Sequence, residues 1–374
     1  ALVVADTLCN TAAVYTQNKV KGAPILVMKK HLAATGGKAR ALIANSKNAN
    51  TCNADGEEKA EAMCKLTADA LGIAPEEVMV MSTGVIGQIL PLEPIEKAIP
   101  VLCEKLSPNG NLEAATAIMT TDTVPKEVAV TFEIGGKKVT MGGMCKGSGM
   151  IHPNMCTMLG FITTDAIISK ALLQEALSED IKDTYNMVSV DGDTSTNDTV
   201  LLLANGQAGN PLIDTKNEDY KAFCEALHAV NACLCRKIAG DGEGASALFE
   251  VKIIGAETKE QAVTLSKSVV TSSLVKTAIC GHDANWGRIL CAMGYSGAQF
   301  DPEKVDLFFE SAAGKIQIMK DGVAADYSEE EATKILSEPE VTAIADIKMG
   351  NQEATAWGCD LTYDYIKINA DYRS

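Results

Sequence analysis

No apolar run of roughly 18 residues, the length a membrane-crossing helix needs, occurs anywhere in this 374-residue chain. No signal peptide is visible, and no internal repeat or low-complexity segment interrupts the pattern. Basic residues are scarce and never form a block. Lysine and arginine number 33 against 49 aspartates and glutamates, a net charge of −16. Nucleic acid and anionic membranes both need a positive face, so neither is expected as a partner. Histidine occurs four times, and none of the cysteines stands in a CxxC pair. No metal-ligand constellation can be assembled from them, so no metal and no cofactor is expected. A phosphate loop of the G-x-x-x-x-G-K type is also missing, although CoA sites often lack one. The chain opens Ala1-Leu2-Val3-Val4 without a methionine. A native N-terminal segment is therefore expected to be missing, and any organellar address it carries stands outside the sequence.

What is present is ordinary soluble material. Hydrophobic residues make up 47% and charged residues 22%, and a chain this long buries a sizeable core without staples. Its length suggests two domains or one large elaborated one. The twelve cysteines are scattered singly apart from Cys233 and Cys235, and several sit in apolar helical patterns, as Cys64 and Cys224 do. They read as reduced, mostly buried thiols of a cytoplasmic protein rather than a secreted disulfide framework.

Strand-like and helix-like segments alternate, which suits a layered α/β or α+β protein. Residues 24–28 and 41–44 read as short buried strands. Residues 57–71 read as a helix stopped by Gly72. A strand over 78–81 runs into Ser82-Thr83-Gly84. A hairpin over 127–141 turns at Gly135-Gly136. Further strands are expected at 158–163, 187–190 and 248–254. Residues 221–238 carry the clearest helical stripe: Phe223, Leu227, Val230, Leu234 and Ile238. Ser328 and Glu331 form a capping box. The weakest join is Gly240-Asp241-Gly242-Glu243-Gly244, with an internal domain boundary expected near 240–256.

The densest feature runs from Gly142 to Gly160. Its glycines and Pro153 give a tightly turned backbone that leads into an apolar strand at Thr157. From pattern alone this also fits a plain glycine-rich loop in which Thr157 merely begins the strand. The chemistry adds a second reading. A threonine hydroxyl needs an adjacent base, and its own α-amine, with a reference pKa of about 7.7–8.0, serves if the preceding peptide bond is cut. A strained loop promotes that cut by N-to-O acyl shift and hydrolysis of the ester.

The run Asn154-Met155-Cys156-Thr157-Met158-Leu159-Gly160-Phe161-Ile162-Thr163-Thr164-Asp165 resembles the processing site of the ornithine acetyltransferases, the glutamate N-acetyltransferases of the cyclic arginine pathway. The resemblance continues in Asn18-Lys19-Val20-Lys21-Gly22-Ala23-Pro24, Asn45-Ser46-Lys47-Asn48-Ala49-Asn50 and Ser82-Thr83-Gly84-Val85-Ile86-Gly87. It recurs in Met119-Thr120-Thr121-Asp122-Thr123, in residues 189–198, in Asp241-Gly242-Glu243-Gly244-Ala245, in residues 283–288 and in residues 369–374. It thus spans almost the whole chain.

The resemblance implies an N-terminal-nucleophile-like architecture with a smaller C-terminal α/β domain. It implies cleavage between Cys156 and Thr157, giving an α chain of 1–156 and a β chain of 157–374 assembled as α2β2. It implies transfer of an acetyl group from N2-acetylornithine to glutamate through acetyl-Thr157, with acetyl-CoA as an additional donor in bifunctional members. Thr83 and Gly84 are implied as the oxyanion hole; alone, they fit a strand-ending turn equally well. Thr123, Lys146, Thr157, Glu243, Asn369 and Ser374 are implied as substrate contacts. Read alone, Thr123 caps a turn, Lys146 is a solvated loop lysine and Glu243 is an exposed loop acid. The alternating acids and hydroxyls of residues 191–198 lack the spacing of an EF-hand and read as a turn supporting the site. His282 offers a base, but a fold role suits it better.

The chain departs from the family pattern at Cys156, where alanine is common, at His152, which replaces a small residue, and at Ser374, where threonine is usual. Cys156 raises a rival thiol nucleophile, disfavoured because a residue before the cut has no freed amine to activate it. Two other readings stay open: an autoprocessed aminopeptidase or amidase that passes the acyl group to water, and an uncleaved metabolite-binding protein.

Overall fold

The computed structural model describes residues 1–152 and 158–371, so Cys156, Thr157 and Ser374 lie outside the described residues. The chain divides into two compact units. The first comprises residues 1–147, 153–186 and 194–234, and the second 148–152, 187–193 and 235–374.

The first unit is built on a seven-stranded mixed sheet. In chain order its strands are β1 (Leu2–Tyr15), β2 (Lys38–Asn45), β3 (Val78–Ser82), β4 (Lys126–Ile134), β5 (Lys137–Lys146), β6 (Leu159–Thr164) and β8 (Thr199–Ala204). The short β7 (Val188–Ser189), which falls between the last two, belongs to the second unit. The spatial order is β3-β2-β1-β8-β6-β5-β4. β4 and β5 form the expected hairpin, with Ile134 opposite Lys137. Gly135 and Gly136 make the two-residue turn at φ 54° and 74°, the left-handed pair whose twist matches the strands. At the far end of β5, Lys146 pairs with Leu159, the first residue of β6, and Leu159 pairs in parallel with Thr199 of β8.

Two helices cover β2 and β3. Helix α2 (Gly56–Leu71) buries Ala60, Met63 and Cys64 and ends on Gly72 at φ 67°, whose N–H bonds Ala68 O. Helix α1 (Ala23–Ala34) corrects the strand expected at 24–28. Ile25, Val27 and Met28 are fully buried, and a short run of that kind has no periodicity to read. Pro24 decides the matter by pre-setting the first helical turn. Further along α1, His31 is buried and bonds Val78 O through Nδ1 at 2.9 Å, fastening the helix to β3.

The second unit carries another seven-stranded sheet, of order β12-β11-β10-β13-β9-β14-β7. Its other strands are β9 (Leu248–Ala256), β10 (Asp306–Ser311), β11 (Gly314–Lys320), β12 (Val323–Ala324), β13 (Glu340–Asp346) and β14 (Gln352–Cys359). Helix Lys259–Val270 packs on β9 and β14 with Ala262, Leu265 and Val269 buried. Ser328 caps helix Glu329–Leu336 by accepting from Glu331 N. The long helix Glu218–Gly240 begins in the first unit and ends in the second, and Phe223, Leu227, Val230, Leu234 and Ile238 are all buried along it. The fold is therefore α/β with two mixed sheets. Among the described residues every cysteine is a free thiol; Cys9, Cys64, Cys145, Cys235 and Cys359 are buried, but Cys52 and Cys291 are exposed. No helix among the described residues is long and apolar enough to cross a membrane.

Candidate active site

The turn after β3 is fixed from both sides. Thr83 N–H donates to Asn45 O and Val85 N–H to Lys47 O, each at 3.1 Å. Between them, the Gly84 N–H and the Thr83 hydroxyl have no hydrogen-bond partner among the described residues. Both residues are half-buried. Gly84 has φ 132°, and a Cβ there would stand 2.1 Å from the Lys47 carbonyl carbon and 2.4 Å from Asn48 N. Only glycine fits. A backbone N–H and a hydroxyl side by side on a rigid, partly desolvated turn are the donor types an oxyanion hole uses.

Asn197 locks this turn from behind. It is 6% exposed. Its amide donates to Ala49 O at 2.6 Å and Ser82 O at 3.0 Å, and its Oδ1 accepts from the hydroxyls of Thr51 and Thr196, each at 2.6 Å. The neighbouring loop depends on left-handed residues: Lys47, Asn50 and Cys52 have φ of 74°, 50° and 61°. The sequence marked residues 191–198 as a supporting turn, but not Asn197 as its centre. Its backbone-bridging side chain has no sequence signature.

Lys146 is not a solvated loop lysine; it is 6% exposed. Its Nζ donates to Thr120 Oγ1 at 2.8 Å and lies 3.5 Å from Asp122 Oδ2. Asp122 also accepts from Lys126 Nζ and from Gly147 N–H, both at 2.7 Å, and from Thr120 N–H at 3.1 Å. Burial pushes the Asp122 carboxyl up, but Lys146, Lys126 and these hydrogen bonds outweigh it and hold the pKa at about 2. Thr123 is exposed beside this cluster. Asp198 is fully buried with Oδ2 unpartnered. Burial pushes its pKa well above the ordinary value, against bonds from Ser195 and Thr16 and the charge of Lys146.

In the second unit, Glu243 is also buried rather than exposed, at 6%. Asn369 Nδ2 donates to its Oε2 at 2.7 Å, so two residues far apart in sequence meet. Gly149 lies against the carboxylate, where a Cβ would approach within 2.3 Å. Residues 148–152 are pinned around it. Ser148 Oγ donates to Asp241 O at 2.7 Å, and Glu243 N–H donates to Ser148 O at 3.0 Å. Asp191 accepts from Met150 and Ile151 N–H at 2.6 and 2.9 Å. The departure at His152 is accommodated by Ser189 Oγ, 3.1 Å from Nδ1. His282 is exposed, 3.3 Å from Ser337 Oγ.

In the first unit the structure thus brings Thr83 together with Gly84, and Lys146 with the Thr120–Asp122 turn that precedes Thr123. In the second it joins Glu243 to Asn369.

A family model, that of the ArgJ family, matches residues 1–374. The arginine biosynthesis bifunctional protein ArgJ of Symbiobacterium thermophilum is 52% identical over 375 residues, covering 100% of this chain and 92% of its own. Arginine biosynthesis bifunctional protein ArgJ 1 of Clostridium acetobutylicum is 51% identical over 374 residues, covering 100% and 91%. A crystal structure of the corresponding Bacillus halodurans protein is 46% identical with a TM-score of 0.55, covering 57% of this chain and 99% of its own. The chain belongs to the ArgJ family, enzymes of arginine biosynthesis.

Proposed function

We propose that this chain moves an acetyl group from N2-acetylornithine to glutamate by way of Thr157. The observation that carries the reading is the Thr83–Gly84 turn, whose Gly84 N–H and Thr83 hydroxyl have no partner among the described residues, on a backbone only glycine can adopt. An acetyl carbonyl seated there gains negative charge on oxygen as it is attacked, and each donor supplies roughly 3–4 kcal/mol to that step in comparable sites.

The bond between Cys156 and Thr157 is cut first, by attack of the Thr157 hydroxyl on the Cys156 carbonyl and hydrolysis of the resulting ester. The freed α-amine then accepts the hydroxyl proton as Thr157 attacks the acetyl carbon of N2-acetylornithine. The C–N bond breaks, the proton passes to the leaving amine, and ornithine departs. The amine of glutamate attacks the acetyl ester, and the Thr157 hydroxyl is regenerated. Lys146 suits a substrate carboxylate, Thr123 a further polar contact, and the Glu243–Asn369 pair an ammonium group. Ser374 contributes a hydroxyl.

The test is a product balance. Equal amounts of ornithine and N-acetylglutamate support the proposal. Free acetate without N-acetylglutamate would point to the amidase reading. A single uncleaved chain with no turnover would point to a metabolite-binding protein. A second donor, acetyl-CoA, is part of the same proposal. Acetyl-CoA with glutamate alone should then also yield N-acetylglutamate. Assembly of two α and two β chains belongs to the same proposal and is read from the mass of the native particle.

A further inference from the structure

The cluster beneath Lys146 contains a second buried ammonium. Lys126 opens β4 and is completely buried, at 0% exposure. Burying a second ammonium beside Lys146 is costly unless it is closely paired. One of its partners is Asp122, to which it donates at 2.7 Å.

That pairing decides what Lys146 is left with. Asp122 Oδ1 is taken by Lys126 and by Gly147 N–H, and Oδ2 accepts Thr120 N–H. Lys146 lies 3.5 Å from Oδ2, a longer contact than the 2.7 Å bond of Lys126 to Oδ1. An ammonium has three N–H donors, and one of them goes to Thr120 Oγ1. With an apolar residue at 126, Asp122 would be free to close on Lys146 and neutralise it.

We infer that Lys126 is a positioning residue: by occupying Asp122 it reserves the Lys146 ammonium for the α-carboxylate that N2-acetylornithine and glutamate share. This rests on the acetyl-transfer reading given above. Asp122 sets where Lys146 sits, and Lys126 sets how much of its charge remains for substrate. Neither touches the reacting atoms.

The experiment compares wild type, K126M and the double variant K126M/D122N, each as the complete mature enzyme with its thermal melt recorded. Acceptors are glutamate and its α-carboxamide. In K126M the KM for glutamate and for N2-acetylornithine should rise roughly tenfold or more while kcat stays within about threefold. The preference for glutamate over its α-carboxamide should collapse toward unity. The double variant removes the freed carboxylate charge and should recover most of that preference, which a purely structural role for Lys126 would not produce. If K126M does not fold, Lys126→Gln carries the same comparison. A folded variant with the wild-type preference, or no recovery in the double variant, overturns the inference. Failure of wild type itself to transfer acetyl overturns the underlying reading instead.

Discussion

The side-chain amide of Asn197 donates to the main-chain oxygen of Ser82 at 3.0 Å, one residue before the proposed oxyanion turn. The same amide holds Ala49 O at 2.6 Å, so one buried residue joins the end of β3 to the loop that flanks it. Asn197→Ala removes all four bonds; the Thr51 and Thr196 hydroxyls keep longer 3.3 Å contacts to Ala49 O and to each other, and each buried group left unsatisfied costs about 1–3 kcal/mol. The melting temperature should fall clearly, and kcat should fall further than KM rises in the protein that remains folded. Calorimetry with steady-state kinetics on the same preparation checks both.

Thr83 and Gly84 should respond to substitution differently. Thr83→Val removes the hydroxyl donor at nearly constant shape and should lower kcat on the order of 10²–10³-fold with little change in KM. Gly84→Ala drives a Cβ to 2.1 Å from the Lys47 carbonyl carbon at φ 132°, so the turn itself must move. It should lose both activity and thermal stability, whereas Thr83→Val keeps its melting temperature.

The buried acids predict opposite pH trends in separate windows. Asp122 has a folded pKa of about 2 against an ordinary 3.8. It contributes about 2 kcal/mol that is fully present above pH ~4 and lost as pH falls through ~2. Asp198 has a folded pKa well above 3.8. The folded state then holds a proton that the unfolded state has released, so its contribution weakens as pH rises above 3.8 toward the folded value. Asp198→Asn removes that slope. Denaturant unfolding of wild type and variant across this range should show a stability difference that grows in the variant's favour with pH. A constant difference would count against the assignment.

Much of this was legible in the sequence because local signals agreed with tertiary ones. Gly72 ends its helix and Gly135-Gly136 turns their hairpin through left-handed backbone that few other residues adopt. The stripe from Phe223 to Ile238 buried as its spacing required. Residues 24–28 were misread because Ile25, Val27 and Met28 are all buried, leaving a short apolar run without a period. At the site, residue types were readable but environments were not. Lys146 and Glu243 read alone as exposed because they sit in glycine-rich segments, yet each is 6% exposed. What buries them is distant in sequence: Asp122 and Thr120 for the lysine, and Asn369 for the glutamate. The roles of Asn197 and Lys126 are legible only once β3, β4 and β5 are assembled.

The central claim is that Thr157 carries the acetyl group. Wild type mixed with N2-acetylornithine in the absence of glutamate, quenched in acid and digested, should yield the peptide beginning at Thr157 with one added acetyl group. Adding glutamate before the quench should remove it. An unmodified peptide from an enzyme that turns over, or an acetyl group on Cys156 instead, would contradict the account.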